Sequence, residues 1–435
     1  MTHSKHKATS ARRKSGGSRL TAFLVLTTSF GLFMPISAAA QQSVLPSPID
    51  RVPEGYRPVP IYLNSFELTP SIGVDTTYVD NIFVTDANKL SDTILSINPN
   101  LYVRDRREDR EISLRLGAGF ETYIDNNVDD RVTADVAGTA RFGLGTLTRS
   151  FAGANFRRNG TQGQGISDLG TTGQPLTLTT YGGNLGVERD IGPFTATVEG
   201  KYRATNFAGD IVIDGDLFES GFRDYETLTG RGRLAYSVSP AQRIYAEIIY
   251  DDRNFDEPAA DSDLPASLLL DRTSNDVSYL VGFTRQLTNV LQLDLNAGYV
   301  KQNFNDETFD DISALSFNGR LNWDPTRLTR IQLRGTRSVD STNDPLFDGL
   351  LRTEGNLRVT HELRRNIILD GNIRYADIDF LGGGENGSQF ATYASAKYLL
   401  SKNWALNLRG EYFEQESTFF PGSQTRVIIG AQYNF

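Results

Sequence analysis

The 435-residue chain has no cysteine, and only three histidines, two methionines and two tryptophans. Without cysteine there can be no disulfide framework, thiolate zinc site, iron–sulfur cluster or Cys nucleophile. Beyond residue 40 a single histidine remains, His361, so the usual general base of hydrolases is nearly missing. Past the same point no run of about 18 apolar residues occurs, which excludes helical membrane spans. Positive charge is short as well. The chain has 44 Lys plus Arg against 53 Asp plus Glu, and six of those bases (Lys5, Lys7, Arg12, Arg13, Lys14, Arg19) but no acid lie in the first 40 residues, so the remainder carries a net charge of −15 (38 bases against 53 acids). Such a chain is a poor partner for nucleic acid, whose phosphates need a basic surface.

What is present begins with an address. A basic stretch ends at Arg19 and is followed by an apolar run over 20–36, broken by Thr21, Thr27, Thr28 and Ser29. Ser37 and Ala38-Ala39-Ala40 then form a small-residue cleavage site before Gln41. Residues 1–40 read as a secretory signal peptide, with an apolar run too weak for a spanning helix of about 20 residues. Residues 41–65 are proline-rich (Pro46, Pro48, Pro53, Pro58, Pro60) and aperiodic, the composition of an extended periplasmic leader. It is either a loose tail or a docking strap for a periplasmic partner.

From residue 66 to 435 the period is two. Leu291, Leu293, Leu295, Ala297 and Tyr299 alternate with Gln292, Asp294, Asn296 and Gly298. The same alternation recurs over 194–203 and 404–412. One apolar and one polar face at period two is a half-exposed strand, in a soluble sandwich or in a membrane barrel. The connections separate these. Short turn signals at 106–109, 143–146, 190–193, 239–242, 287–289, 324–327, 364–366 and 401–403 alternate with longer polar connections near 80–92, 124–130, 159–175, 206–222, 254–272, 304–311, 339–350, 380–388 and 416–423. Eight turns and nine loops predict eighteen strands in an all-β, antiparallel, up-and-down transmembrane barrel, with both termini on the short-turn, periplasmic side.

Distance gives a second test. Phe120, Tyr202, Tyr250, Tyr299, Tyr375 and Tyr412 fall on the outward phase nine or ten residues past a turn. At about 3.4 Å per residue and a tilt of about 40°, that is a height of roughly 25 Å, the apolar band of such barrels. A level ring of amphipathic aromatics is an interfacial girdle. One strand breaks the rule, with Gly335 where an aromatic is expected. At the C-terminus Val427, Ile429, Ala431, Tyr433 and Phe435 share one face, and a last strand ending in Tyr433 and Phe435 is similar to the sorting signal read by the outer-membrane assembly machinery.

The first strand, Thr69-Pro-Ser-Ile-Gly-Val-Asp-Thr-Thr-Tyr-Val-Asp-Asn-Ile-Phe83, places Asp80-Asn81 after an aromatic-bearing run, and the span from about residue 68 to 435 resembles the second β-barrel porin family. That resemblance implies a barrel in the outer membrane of a Gram-negative bacterium and, for some members, a link to exopolysaccharide production. It supplies no substrate and no catalytic residue.

Eighteen strands leave an aqueous lumen. The inward phase supplies Arg115, Arg131, Arg141, Arg203, Arg231, Arg233, Arg243, Arg320, Arg334, Arg352, Arg358, Arg374, Arg409 and Arg426, with Glu121, Asp135, Glu199, Glu247, Asp294, Glu354, Glu362, Asp370 and Glu411. A base at the bilayer midplane on the lipid face costs about 2–4 kcal/mol, so these groups must line water or pair with one another. They form either a network that stiffens the wall or a basic track for anionic solutes or an acidic polysaccharide. Tyr102, Tyr245 and Tyr393 share that phase and could stack on sugars. The acidic loops are expected to meet lipopolysaccharide through divalent cations. The apolar patch 264–270 predicts an inward-folding constriction, so deleting 258–270 should raise conductance. The run 125–130 is rich in oxygen ligands but lacks calcium-loop spacing. No cofactor, metal or enzymatic activity is expected; His361 falls on the outward phase near a turn. The functions compatible with these features are a passive channel, the outer-membrane part of a polysaccharide export complex working with periplasmic proteins, or a structural or adhesive barrel.

Overall fold

The computed structural model describes residues 53, 55–86, 88–126, 130–161, 176–213, 216–256, 270–342, 347–417 and 421–435. The expected signal peptide, the first part of the leader, the centre of the 125–130 run and the expected constriction lie outside the described residues.

A short strand, β1 (Ile61–Leu63), precedes β2 (Phe66–Val79), β3 (Asp92–Arg106), β4 (Arg110–Tyr123), β5 (Arg131–Phe142), β6 (Thr148–Thr161), β7 (Leu176–Ile191) and β8 (Phe194–Ala208). The hairpin of β9 (Asp210–Ile213) and β10 (Asp216–Glu219), with the 3-10 turn Ser220–Arg223, occupies the next connection. The wall resumes with β11 (Tyr225–Ser239), β12 (Gln242–Phe255), β13 (Ser274–Thr288), β14 (Leu291–Phe304), β15 (Ile312–Thr326) and β16 (Thr329–Asp340). It ends with β17 (Gly349–Arg364), β18 (Ile367–Leu381), β19 (Asn386–Leu399), β20 (Trp404–Ser417) and β21 (Gly422–Asn434).

From β2 each wall strand pairs antiparallel with the next, β8 pairs with β11, and β21 returns to β2 from Ser71↔Asn434 to Val79↔Arg426. The result is a closed ring of 18 strands. Closure satisfies every edge, as strands must in a bilayer. β1 stands outside the ring and covers the foot of β2 (Ile61↔Leu68, Leu63↔Phe66), a stretch that β21 does not reach. The short turns follow their residues: Gly192, at φ 59°, takes the first central position of the two-residue turn between Ile191 and Phe194, where a II′ hairpin requires a left-handed backbone.

Contacts that skip a strand identify the concave side. Tyr245 on β12 accepts a hydrogen bond from Asn296 on β14 (3.2 Å), and Arg352 on β17 reaches Gln389 on β19 (3.0 Å). Only the inside of a curved wall brings alternate strands within such reach. The polar phase is therefore internal and the apolar phase external. Phe120, Tyr202, Tyr250, Tyr299 and Tyr375 are exposed on the convex face, and Tyr412 is half-buried beside Phe390 (6.3 Å between rings). On β16, where the aromatic is missing, the Phe317 ring of β15 leans over Gly335 to 3.7 Å from the position of an added Cβ.

The Asp80-Asn81 pair closes the seam between first and last strands. Buried Asn81 donates from Nδ2 to the carbonyls of Thr85 (2.6 Å) and Ser423 (2.8 Å), its carbonyl accepts from Gln424, and Asp80 Oδ1 accepts the Thr425 N–H (2.7 Å).

Candidate functional site: the interior wall

Strand spacing of about 4.8 Å and a tilt of about 40° give eighteen strands a backbone diameter of roughly 36 Å, wide enough that inward side chains cannot fill it. The chemistry of the barrel therefore lies in what covers the concave face. Two arrangements share that surface.

The first is a paired network. Arg231 binds Glu199 (3.2 Å) and Glu247 (2.8 Å), and Arg233 also binds Glu247. Both Glu199–Arg231 and Arg233–Glu247 are directly opposed in the register, the cross-strand geometry that favours opposite charges. Arg233 also covers the Tyr245 ring at 4.1 Å, leaving that tyrosine 7% exposed. Tyr245 is therefore not a free sugar-stacking face. On the far side Arg358 and the Tyr393 hydroxyl both bind Asp370 (2.9 and 2.6 Å), while Arg409 binds Glu411 and lies 3.8 Å over the Tyr393 ring. Arg374 and Arg352 flank Glu354 (3.8 and 4.0 Å), and Asp135 takes Arg157 (2.9 Å). Arg131 opposes Glu121 and lies 4.9 Å over Tyr123; Arg426 donates to Gln424. Arg141 opposes Glu111, Arg203 opposes Thr227, Arg115 stands beside exposed Tyr102, and Glu362 is buried opposite Ile368.

The second arrangement is a row. Following the register sideways, Arg243 faces Thr284, which faces Asp294, then Arg320, Arg334, Asn356 and Arg374 on β18. Seven neighbouring strands thus place four arginines and one aspartate on a single rung, roughly 29 Å long at about 4.8 Å per step. Arg320 and Arg334 are directly opposed, and among the described residues neither has a carboxylate within 4.0 Å. Arg334 Nε is buried with no hydrogen-bond partner. The separate arginines were visible in the sequence; their alignment was not, because register between strands depends on turn geometry and pairing.

A loop contact that sequence reasoning missed lies at the long-loop mouth. Arg253, inward-facing near the end of β12, donates to Ser341, and Arg272 donates to the carbonyls of Thr342 (3.0 Å) and Phe347 (3.1 Å) while lying 4.5 Å over the Phe309 ring. Ser341, Thr342 and Phe347 therefore lean inward, reaching back across four strands. Asp348, between these loops, is held above the ordinary aspartate range chiefly by burial and by the neighbouring Asp310 carboxylate, against the Asp310 N–H and Arg272. His361 is on the outer face by a turn, its Nδ1 2.9 Å from the Thr329 hydroxyl.

A family model described as "Putative beta-barrel porin 2" matches residues 53–435. No curated protein sequence matches the chain. Among solved structures, OccK11 (OpdR) of Pseudomonas aeruginosa aligns at 11% identity over 88% of this chain and 99% of that one, with a TM-score of 0.42. OccAB2 of Acinetobacter baumannii aligns at 12% identity over 85% and 98%, TM-score 0.43. A mutant of the ferric enterobactin receptor PfeA of P. aeruginosa aligns at 8% identity over 85% and 80%, TM-score 0.44.

Proposed function

Because the chain belongs to this β-barrel porin family and is an outer-membrane barrel, we propose that it is a channel for hydrophilic solutes that favours anions. The observation that carries the reading is the Arg320–Arg334 pair. Like charges directly opposed on neighbouring strands repel, and although Asp294 stands opposite Arg320 on its other side, among the described residues neither guanidinium is drawn into a close ion pair as Arg231 is by Glu199. Unpaired guanidinium groups on an aqueous wall attract carboxylate and phosphate, which they bind bidentately. The low-dielectric barrel wall focuses that field into the lumen. Ser341, Thr342 and Phe347 lean inward at the long-loop mouth, above this rung.

Planar-bilayer recording across a tenfold KCl gradient tests this. Steady conductance with a reversal potential on the anion-selective side is expected. Absence of conductance, or cation selectivity, refutes the reading.

One observation favours a second reading, an outlet for exported polysaccharide worked by periplasmic proteins. The leader leaves Val59, Ile61, Tyr62 and Leu63 exposed at the turn-side mouth, with Tyr56 packed against Ile368, Leu399 and Ala405. That strap is where a periplasmic partner would dock. A barrel that conducts only when such a partner is added would favour it.

A further inference from the structure

Arg337 stands on the wrong face for a charge. It is opposite Phe317 on β15 and Thr353 on β17, all on the convex, lipid-facing phase. Eight residues past the start of β16, the same count that sets Tyr202, Tyr250, Tyr299, Tyr375 and Tyr412 past the starts of their strands, it stands level with the outer aromatic ring, at the border with the headgroups. Its Nη1 donates to the Thr353 hydroxyl (2.9 Å), and among the described residues no carboxylate lies within 4.0 Å of it. Lys301, on the same face two strands away and slightly higher, has among the described residues a single carboxylate within 4.0 Å, that of Asp311 at 3.9 Å. A lipid-facing cation is costly unless it meets water or an anion.

An apolar groove of about 810 Å³ runs along the outer wall from Phe194 on β8, past Tyr236 and Ile244, to Gly335 on β16, where its end lies just below Arg337. Gly335, two residues down on the same face, and Gly319 opposite it form the floor; Phe317, Leu295, Ala297 and Val281 form the sides. Phe317 touches both features, since it lines the groove and is the register partner of Arg337. A groove that takes a hydrocarbon chain, capped by cations at phosphate height, has the chemistry of one amphiphile: an acyl chain below and phosphate above.

We propose that this surface binds a phosphorylated glycolipid of the outer leaflet, with a lipid A phosphate on Arg337, the second phosphate within reach of Lys301, and one acyl chain over Gly335. The site is on the opposite side of the wall from the channel and independent of it. Gly335 has room for a larger side chain and no left-handed backbone to strain, so Gly335→Val fills the groove without disturbing the strand.

The test uses full-length barrel extracted in detergent, delipidated, and titrated with bis-phosphorylated lipid A by native mass spectrometry. One equivalent should bind the native protein. Arg337→Gln and Gly335→Val should each weaken binding at least tenfold, Arg337→Lys should weaken it less than Arg337→Gln, and phosphate-free lipid A, which loses the Lys301 contact as well, should bind more weakly than lipid A binds the Gln variant. Heat-modified gel mobility confirms folding; if Arg337→Gln does not fold, the Lys variant and Gly335→Val decide. Unchanged affinity in the folded variants overturns the proposal, as does equal competition by phosphatidylglycerol of the same chain length. Channel conductance should be the same in all variants, which separates this result from the solute reading.

Discussion

Neutralising Arg320 and Arg334 together, as Arg320→Gln with Arg334→Gln, should reduce anion preference by an amount set by salt. A permeating anion passing about 8 Å from each guanidinium gains roughly 0.5 kcal/mol per charge in water and a cation loses as much, so the two ions differ by about 2 kcal/mol for the pair. Screening decides how much survives. At 0.15 M salt, with a Debye length of about 8 Å, about 0.8 kcal/mol of that difference remains, a change in permeability ratio of about fourfold. At 0.01 M, with a Debye length of about 30 Å, roughly 1.6 kcal/mol remains and the change is about fifteenfold; at 1 M it nearly vanishes. The assay is the reversal potential in KCl gradients of matched ratio at the three mean concentrations. The charge-preserving double variant, Arg320→Lys with Arg334→Lys, should keep the native ratio. A drop independent of salt would place the effect in altered barrel shape, and an unchanged ratio at 0.01 M would mean that solutes do not pass this rung; either result refutes the reasoning.

Three further outcomes follow from particular contacts. Arg231→Met leaves the half-buried Glu199 with the Asn184 amide (2.9 Å) and the charge of Lys201, and halves the arginine partners of the buried Glu247; removing one partner of a buried ion pair costs about 3–5 kcal/mol, readable as urea unfolding in lipid vesicles, and a loss below about 1 kcal/mol would show that lumen water solvates these carboxylates. Gly422→Ala would set a Cβ 1.9 Å from the Val84 carbonyl oxygen, so the 81–90 loop should detach and Lys89 become open to trypsin, whereas Gly410→Ala, with nothing within 4 Å, should stay resistant. Burial raises the Asp348 carboxyl, so its contribution to the loop contact is fully present below the unfolded aspartate value of about 3.9 and is lost as pH rises through the higher folded value. The Asp348 amide, which bonds Leu381, should therefore exchange more slowly at pH 4 than at pH 7 after correction for intrinsic rate, and Asp348→Asn should abolish the difference; equal corrected rates would contradict it.

Much of this molecule is local, and what is local can be read from the chain. A strand turns successive side chains to opposite faces, so Leu291 to Tyr299 declares which side is apolar before any partner is known. Tight turns at 190–193 or 401–403 declare where each strand reverses, and their strict alternation with long loops yields eighteen strands, both termini at one end, and the aromatic ring from Phe120 to Tyr412. Each of those inferences needs only residue spacing along one strand. What the chain alone could not supply is sideways. That Arg243, Asp294, Arg320, Arg334 and Arg374 share a rung depends on the register of six hydrogen-bonded ladders, and a shift of two residues in any one would break the row while leaving every strand equally amphipathic. The inward lean of Ser341 and Thr342 onto Arg253 and Arg272, and the apolar groove beneath Arg337, likewise arise only when residues tens of positions apart are brought together by curvature. Periodicity along the chain therefore determined the barrel and its two faces, and closure of the ring decided which charges meet.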